Sequence, residues 1–102
     1  RELLFADEMA DACVYLMEKY SGDGFVNIGY GKDYTVMEIA EAIRRTVGYE
    51  GEIITDPDRP EGMQRKVLDT SKLKALGWTP RYSLEEGLRM TYEWYVANCV
   101  RV

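Results

Sequence analysis

The 102-residue sequence predicts an α/β fold in which helices pack on a small, short sheet. Amphipathic segments with capping signals recur along the chain, and short runs of β-branched and other apolar residues stand between them. Hydrophobic residues make up 46% of the sequence, which argues against disorder. The length suits one domain with a modest core, so we place a single domain over residues 1–102.

The first part of the chain predicts an extended segment, a helix and a strand. Residues 1–6 are expected to be extended, and Asp7 is a candidate N-cap for the helix that follows. Residues 25–28 are a strand candidate, closed by a glycine turn at residues 29–31. The apolar face of the helix is expected to consist of Ala10, Cys13, Val14 and Met17.

A second helix has clear signals at both ends. Thr35 and Glu38 form a capping box at its start, and Gly48 is placed for the C′ position at its end. Residues 52–55 then predict a second strand. The apolar stripe of the second helix is expected to consist of Val36, Ile39, Ala40, Ile43 and Val47.

The last third predicts two more helices. Residues 67–68 can pair as an edge strand, and Asp69 or Thr70 caps a short helix that Gly77 stops. A second capping box, of Ser83 and Glu86, starts the final helix. The expected apolar face of that helix consists of Leu84, Leu88, Tyr92, Tyr95 and Cys99.

Composition narrows the function classes. The net charge of −5 argues against an extended nucleic-acid surface, and no run is apolar and long enough to span a membrane, so we expect a cytoplasmic protein. The sequence has no histidine, which removes the commonest general base and zinc ligand, and we predict no catalytic residue and no metal site. Cys13 and Cys99 form no CxxC pair and are expected to be buried, reduced thiols.

The most informative stretch is residues 59–69, where Arg59, Arg65 and Lys66 surround a loop that also holds Glu61. Pro60 and Gly62 prevent a regular helix or central strand there. A loop of this kind can present cations to a polyanion such as a pyrophosphate. An ordinary charged surface loop is the alternative.

Two other patterns are weaker. Residues 29–31 lack the third glycine of a dinucleotide fingerprint and the Lys-Ser/Thr pair of a P-loop, so we interpret them as a turn. Tyr15 and Lys19 match a Tyr-x-x-x-Lys spacing, but no serine partner is evident, so we interpret the spacing as a coincidence on a helix surface.

Several stretches together resemble the extended short-chain dehydrogenase/reductases that act on nucleotide sugars. Residues 1–12 are similar to their Arg-(Asp/Glu)-Phe-x-x-Val-Asp-Asp-x-Ala segment, residues 27–31 to their Asn-x-Gly-x-Gly turn, and residues 69–78 to Asp-x-Ser-Lys-x-x-x-Leu-Gly-Trp. Residues 60–69, Pro-Glu-Gly-x-x-Arg-Lys-x-Leu-Asp, look most like the GDP-L-fucose synthase family, whose pattern is Pro-Asp-Gly-Thr-Pro-Arg-Lys-Leu-Leu-Asp. The similarity covers essentially the whole chain.

The resemblance implies a small C-terminal substrate-binding domain cut from a longer enzyme. A Rossmann domain outside this chain would bind NADP(H) and carry the catalytic groups, so we expect this chain alone to be inactive and the parent to be a homodimer. Arg1 and Lys66 would contact the pyrophosphate of a GDP-sugar, and Glu61 would contact the nucleotide. Arg65 would join the substrate site or have a structural role, and Arg59 replaces a family lysine.

Two alternatives remain open. Glu61 stands where the family has a shorter Asp, which is also compatible with the substrate domain of another nucleotide-sugar epimerase or dehydratase. From another class, the chain could be a non-catalytic interaction module that uses an exposed aromatic face of Tyr92, Trp94 and Tyr95 on the last helix.

Overall fold

Four helices make up the regular structure in a computed structural model that describes residues 1–100. In chain order they are α1 (Ala6–Lys19), α2 (Val36–Val47), α3 (Ser71–Ala75) and α4 (Leu84–Asn98). Extended and looped backbone joins them. No helix within this range combines the length and the apolarity that crossing a bilayer requires.

The capping signals place the ends of α2 and α4 as predicted. The Thr35 hydroxyl accepts a hydrogen bond from the Glu38 amide, which is one of the two bonds of the predicted capping box, and Gly48 ends α2 with a left-handed φ of 73°. Ser83 and Glu86 form the complete reciprocal capping box at the start of α4.

The shorter and more irregular ends follow the sequence less closely. α1 begins at Ala6 with Phe5 as its N-cap residue, so the predicted cap at Asp7 is wrong, and Asp7 lies in the first turn. At α3 the N-cap residue is Thr70, whose side chain makes no capping hydrogen bond, while the Asp69 carboxylate before it accepts the Ser71 amide at 2.9 Å.

The predicted short sheet is wrong for residues 1–100, because the strand candidates at 25–28, 52–55 and 67–68 form no ladder. A ladder needs successive backbone pairs between neighbouring segments. Side chains take some of these partners instead: the Glu2 carboxylate accepts the Leu68 amide, and the Asn27 amide group donates to the Asp69 carbonyl. Arg1 and Tyr34 make one reciprocal backbone pair that no second pair extends.

The core lies where α1 meets α3 and the segment that follows it. Ala12, Leu73 and Trp78 are buried together. The Trp78 indole donates to the Asp11 carboxylate at 2.9 Å, so its polar edge is satisfied. The partly buried residues around this cluster are Leu4, Tyr15, Leu16, Val26 and Ile28.

A buried carboxylate joins α1 to the start of α4. Glu8 is buried, and its two oxygens accept the backbone amides of Arg81 and Tyr82 at 2.7 and 3.0 Å. These two bonds satisfy a group that would be costly to bury alone. α4 also packs against α2, and at Gly87 an added Cβ would lie 3.3 Å from the Cβ of Phe5.

Three apolar faces are placed differently from the predictions. On α1, buried positions lie at Glu8 and Ala12, so the predicted face is exposed, with Met17 at 82%. On α2, Ala42 is buried while much of the predicted stripe is exposed. On α4, the face is half-buried near its start and exposed towards Tyr95. Periodicity identifies an apolar face but does not say what covers it.

The predicted burial of both cysteines is wrong, because Cys13 and Cys99 are free and exposed. Cys13 lies on the exposed side of α1, and Cys99 is the C-cap residue of α4. The molecule is accordingly flat, with extents of 48 × 35 × 19 Å and a radius of gyration of 16.5 Å. A compact domain of this length would have a radius of gyration of roughly 13 Å.

Truncating the central core residue should test this packing. Leu73 is 1% exposed, so Leu73→Ala should lower the free energy of unfolding by about 2–5 kcal/mol through lost burial and a residual cavity. Denaturant titration of the variant measures the change. Ile54→Ala, at an exposed site, is the control and should cost less than about 0.5 kcal/mol. Equal losses in the two variants would contradict the assignment of the core.

Candidate functional site

Arg1 and Lys66 lie on one open cleft of about 430 Å³, although 65 positions separate them in the sequence. Arg65 lies on the same cleft. Three of the four predicted binding residues are therefore brought together. The remaining lining residues are Glu2, Met63, Val67 and Leu68.

Backbone and side-chain bonds hold Arg1 at the edge of this cleft. Its backbone nitrogen donates to the Tyr34 carbonyl at 2.6 Å, and the Tyr34 amide donates back at 2.8 Å. The guanidinium Nη1 donates to the Met63 carbonyl at 2.5 Å. A Cβ at Gly62 would come within 3.1 Å of Nη2, so glycine lets the guanidinium lie close to the loop backbone.

The Glu2 carboxylate joins the two loops that flank Arg1. Oε2 accepts the Gly31 amide at 2.5 Å, and Oε1 accepts the Leu68 amide at 3.0 Å. Hydrogen bonds to an ionised acceptor are stronger than neutral ones. One side chain thereby fixes the distance between the glycine turn and the cationic loop.

Arg65 is neutralised by a carboxylate that the sequence did not identify. Its Nε and Nη2 donate to the two oxygens of Asp33 at 2.6 and 3.1 Å, a bidentate pair. The hydrogen bond and charge of Arg65 hold the pKa of Asp33 below its usual range, and Asp33 raises the pKa of Arg65. Arg65 is thus the cation of this cleft that already has a partner.

Lys66 and Arg1, unlike Arg65, have no carboxylate partner within residues 1–100. Within residues 1–100, neither side chain takes part in an ion pair, and Lys66 is exposed. Among the residues that the structure describes, the Arg1 guanidinium bonds to the Met63 carbonyl and to no carboxylate. The cleft therefore presents two unpaired cations in a chain whose net charge is −5.

The other predicted members of the loop lie elsewhere. Glu61 is exposed and does not line the cleft that holds Arg1 and Lys66. Arg59 pairs with Asp56 at 3.4 Å, three positions earlier in the chain. Arg59 is therefore placed as a surface residue of the loop, apart from the cleft.

Glu2 and Asp33 are the site residues that sequence reasoning missed. Glu2 is the second residue of the Arg-(Asp/Glu) pattern that identified Arg1. A carboxylate beside an arginine that is predicted to bind an anion was a signal for a structural role. Asp33 had no comparable signal, because it lies 32 positions from Arg65 and belongs to no motif that we identified.

The glycine turn does not fit the phosphates of a dinucleotide cofactor. The Gly31 amide is already bonded to Glu2, and a Cβ at Gly29 would meet a Glu2 oxygen at 2.9 Å. A carboxylate thus fills the space in which a phosphate would have to lie. The interpretation of residues 29–31 as a structural turn agrees with this geometry, and Gly31 has a left-handed φ of 84°.

Two further chemistries find little support in the described residues. Tyr15 donates its hydroxyl to the Leu76 carbonyl at 2.6 Å, so it binds a helix end rather than acting with Lys19. No group of three or more His, Cys, Asp or Glu residues within 1–100 is arranged to hold a metal ion.

A second, apolar groove of about 290 Å³ lies between the extended start of the chain and α4. Tyr30 and Tyr34 line it together with Phe5 and Leu88. Burial, with the neighbouring Tyr34 adding to it, raises the pKa of Tyr30. Tyr34 therefore connects the groove to Arg1, since it lines the groove and its backbone carbonyl accepts from the Arg1 nitrogen.

Removing the Glu2 carboxylate should loosen the two loops together. Glu2→Ala should speed hydrogen exchange at the amides of Gly31 and Leu68 by roughly tenfold, because both lose a bond to a charged acceptor. Exchange measured residue by residue by NMR checks this. The Gly48 region at the end of α2 is the internal control and should be unchanged. An increase confined to one of the two amides would contradict the clamp.

Acid should weaken the structure through Asp33. Its folded-state pKa is depressed, so its contribution is present above the unfolded pKa and is lost as the pH falls through the folded value, below about pH 4. Asp33→Asn should therefore show a shallower loss of thermal stability below that pH than the wild type. Asp69, whose pKa is lowered by the Ser71 backbone bond, is unchanged in the variant and contributes equally in both proteins. Parallel melting curves across this range would contradict the prediction.

Comparisons with known proteins find that the chain is similar to GDP-sugar enzymes. The chain is 50% identical over 98 residues to GDP-L-fucose synthase 1 of Arabidopsis thaliana, covering 96% of this chain and 30% of that protein. It is 38% identical to the GDP-L-fucose synthase of Escherichia coli K12, covering 96% of this chain and 33% of the relative. No family model matches the chain.

Solved structures of GDP-sugar reductases are also similar to this chain. A GDP-6-OMe-4-keto-L-xylo-heptose reductase from C. jejuni superposes with a TM-score of 0.86 at 33% identity, covering 95% of this chain and 31% of that one. A GDP-mannoheptose C4 reductase from Campylobacter jejuni with NADP bound gives a TM-score of 0.81 at 33% identity, covering 93% and 31%. The chain spans about a third of the length of the relatives it matches. The resemblance predicted from its motifs is therefore confirmed: over nearly its whole length, the chain is similar to part of the GDP-L-fucose synthases.

Proposed function

We propose that this chain is the nucleotide-sugar-binding part of a GDP-L-fucose synthase, and that the diphosphate of the GDP-sugar docks between Arg1 and Lys66. The observation that carries the proposal is the cleft itself, in which two cations without carboxylate partners face the same space. A diphosphate supplies the anionic oxygens that such a pair lacks. The near-full-length similarity to GDP-L-fucose synthases supports the choice of ligand.

The two cations suit different parts of this task. The Arg1 guanidinium is held in place by the Met63 carbonyl and is rigid enough to orient a phosphate with its remaining donors. Lys66 is a mobile point charge that adds attraction without demanding one geometry. In an acidic chain, a local pair of this kind selects a small anion rather than a long polyanion.

Glu61 and Arg65 are the other two residues that we assign to the ligand site. We propose that Glu61, on the same loop, contacts the ribose or base, and that Arg65, which lines the cleft, belongs to the site either as a ligand contact or as a structural residue. The names of the similar enzymes share GDP and differ in the sugar, so guanine is the base that we expect. A preference for a uridine or thymidine nucleotide would favour another epimerase or dehydratase instead.

The reaction of the parent protein follows from the same proposal. The parent would convert GDP-4-keto-6-deoxy-mannose to GDP-L-fucose by 3,5-epimerisation and NADPH-dependent reduction, as a cytoplasmic homodimer. We place NADP(H) and the catalytic groups in a Rossmann domain outside this chain, which is then a C-terminal domain and inactive alone. The glycine turn supports this arrangement because Glu2 occupies its phosphate position, and a similar reductase carries NADP.

Lys66→Ala tests the proposed phosphate contact. In the intact protein it should weaken GDP binding by about 1.5–3 kcal/mol, the range for a hydrogen bond to a charged group. Calorimetric titration with GDP measures the change. Lys19→Ala, at the exposed end of α1, is the matched control and should bind GDP as the wild type does. Unchanged affinity in Lys66→Ala would contradict the proposed site.

One observation favours a second candidate, a non-catalytic interaction module. Trp94 is 62% exposed and Tyr95 is also exposed, so α4 offers an aromatic face near its end. Large exposed apolar patches mark surfaces that bind other proteins. Light scattering with a parallel GDP titration separates the candidates: self-association without nucleotide affinity would support the module and oppose the enzyme.

A further inference from the structure

We propose that Asp33 is a positioning residue, which holds Arg65 away from the ligand and thereby directs Lys66 towards Arg1 across the cleft. The inference rests on the proposed function, because it assumes that the cleft binds a diphosphate. The motif left two roles open for Arg65, contact with the ligand or structural support, and we assign structural support. It also gives a function to a carboxylate that no motif identifies.

The geometry of the pair supports a fixed position. Both Asp33 oxygens accept from Arg65, at 2.6 and 3.1 Å, which sets the plane of the guanidinium as well as its location. The Asp33 side chain is 22% exposed and that of Arg65 is 70% exposed. The carboxylate is therefore the fixed partner and the loop residue is the one that is held.

Asp33 is also connected to the other cation of the cleft. Its neighbour Tyr34 makes the reciprocal backbone pair with Arg1. Two successive residues thus hold both sides of the site, Tyr34 through its backbone and Asp33 through its side chain. A shift of this short segment would move Arg1 and the Lys66 loop together.

The carboxylate lies where it does not compete for the cleft. A neighbouring hollow of about 460 Å³ is lined by Asp33, Arg1 and Arg65, whereas Lys66 lines only the first cleft. Arg1 and Arg65 therefore form the wall between the two spaces, and Asp33 holds that wall from the far side. Asp33 neutralises Arg65 and is not among the residues that line the cleft of Lys66.

The alternative role for Arg65 makes the opposite prediction. If Arg65 bound the diphosphate directly, Asp33 would compete with the ligand for the same guanidinium. Removing the Asp33 charge would then tighten binding. If Asp33 positions the loop, removing its charge weakens binding, and only while Lys66 is present.

The test is a double-mutant cycle in the intact protein with GDP as the probe. Asp33→Asn keeps the size of the side chain and should weaken GDP binding by roughly three- to tenfold, with coupling to Lys66. In the Lys66→Ala background, the same change should alter affinity by less than about twofold, since the residue it positions is gone. Arg65→Gln breaks the pair from the other side and should show the same dependence on Lys66.

Asp23→Asn, at an exposed position, should leave GDP affinity unchanged. Tighter binding by Asp33→Asn, or equal weakening in both backgrounds, would overturn the positioning role. Wild-type protein that binds GDP while Asp33→Asn is unchanged would overturn this inference alone. Wild-type protein that does not bind GDP would overturn the proposed function and this inference with it.

Discussion

The hydrogen bonds of the Glu2 carboxylate are the interaction on which the candidate site depends. They join the Gly31 amide to the Leu68 amide, and these two backbone positions belong to loops that no β-ladder connects within residues 1–100. Arg1 precedes Glu2 and Lys66 lies two residues before Leu68, so the clamp sets how far apart the two cations stand. Without a sheet to fix the register of these segments, a side chain supplies the restraint that backbone pairing would give.

The fold is held together by side-chain hydrogen bonds where a β-ladder would otherwise join the segments, and its shape reflects this. Side chains cap the starts of α2 and α4 and one small core is packed, yet the molecule is a thin slab with much of its apolar surface exposed. The chain is similar over nearly its whole length to about a third of much longer GDP-sugar enzymes. The small buried area also makes individual polar restraints, such as Glu8 under the 81–82 turn, matter more than they would in a deep core.

The sequence predicted what depends on local chemistry. The caps at Thr35 and Ser83, the left-handed Gly48 and the association of Arg1 with Lys66 all follow from short motifs, although the last came from a family pattern. The strands and the buried faces failed because pairing and burial depend on a partner that local periodicity does not specify. Asp33 was missed for a related reason, since its partner is distant in sequence and a lone aspartate in a polar stretch has no pattern.

The most direct test of the account is a structure of the intact protein with GDP bound. The account predicts a phosphate oxygen within hydrogen-bonding distance of both the Arg1 guanidinium and the Lys66 ammonium, with Arg65 still paired to Asp33. A diphosphate bound elsewhere, with the cleft between Arg1 and Lys66 empty, would contradict it.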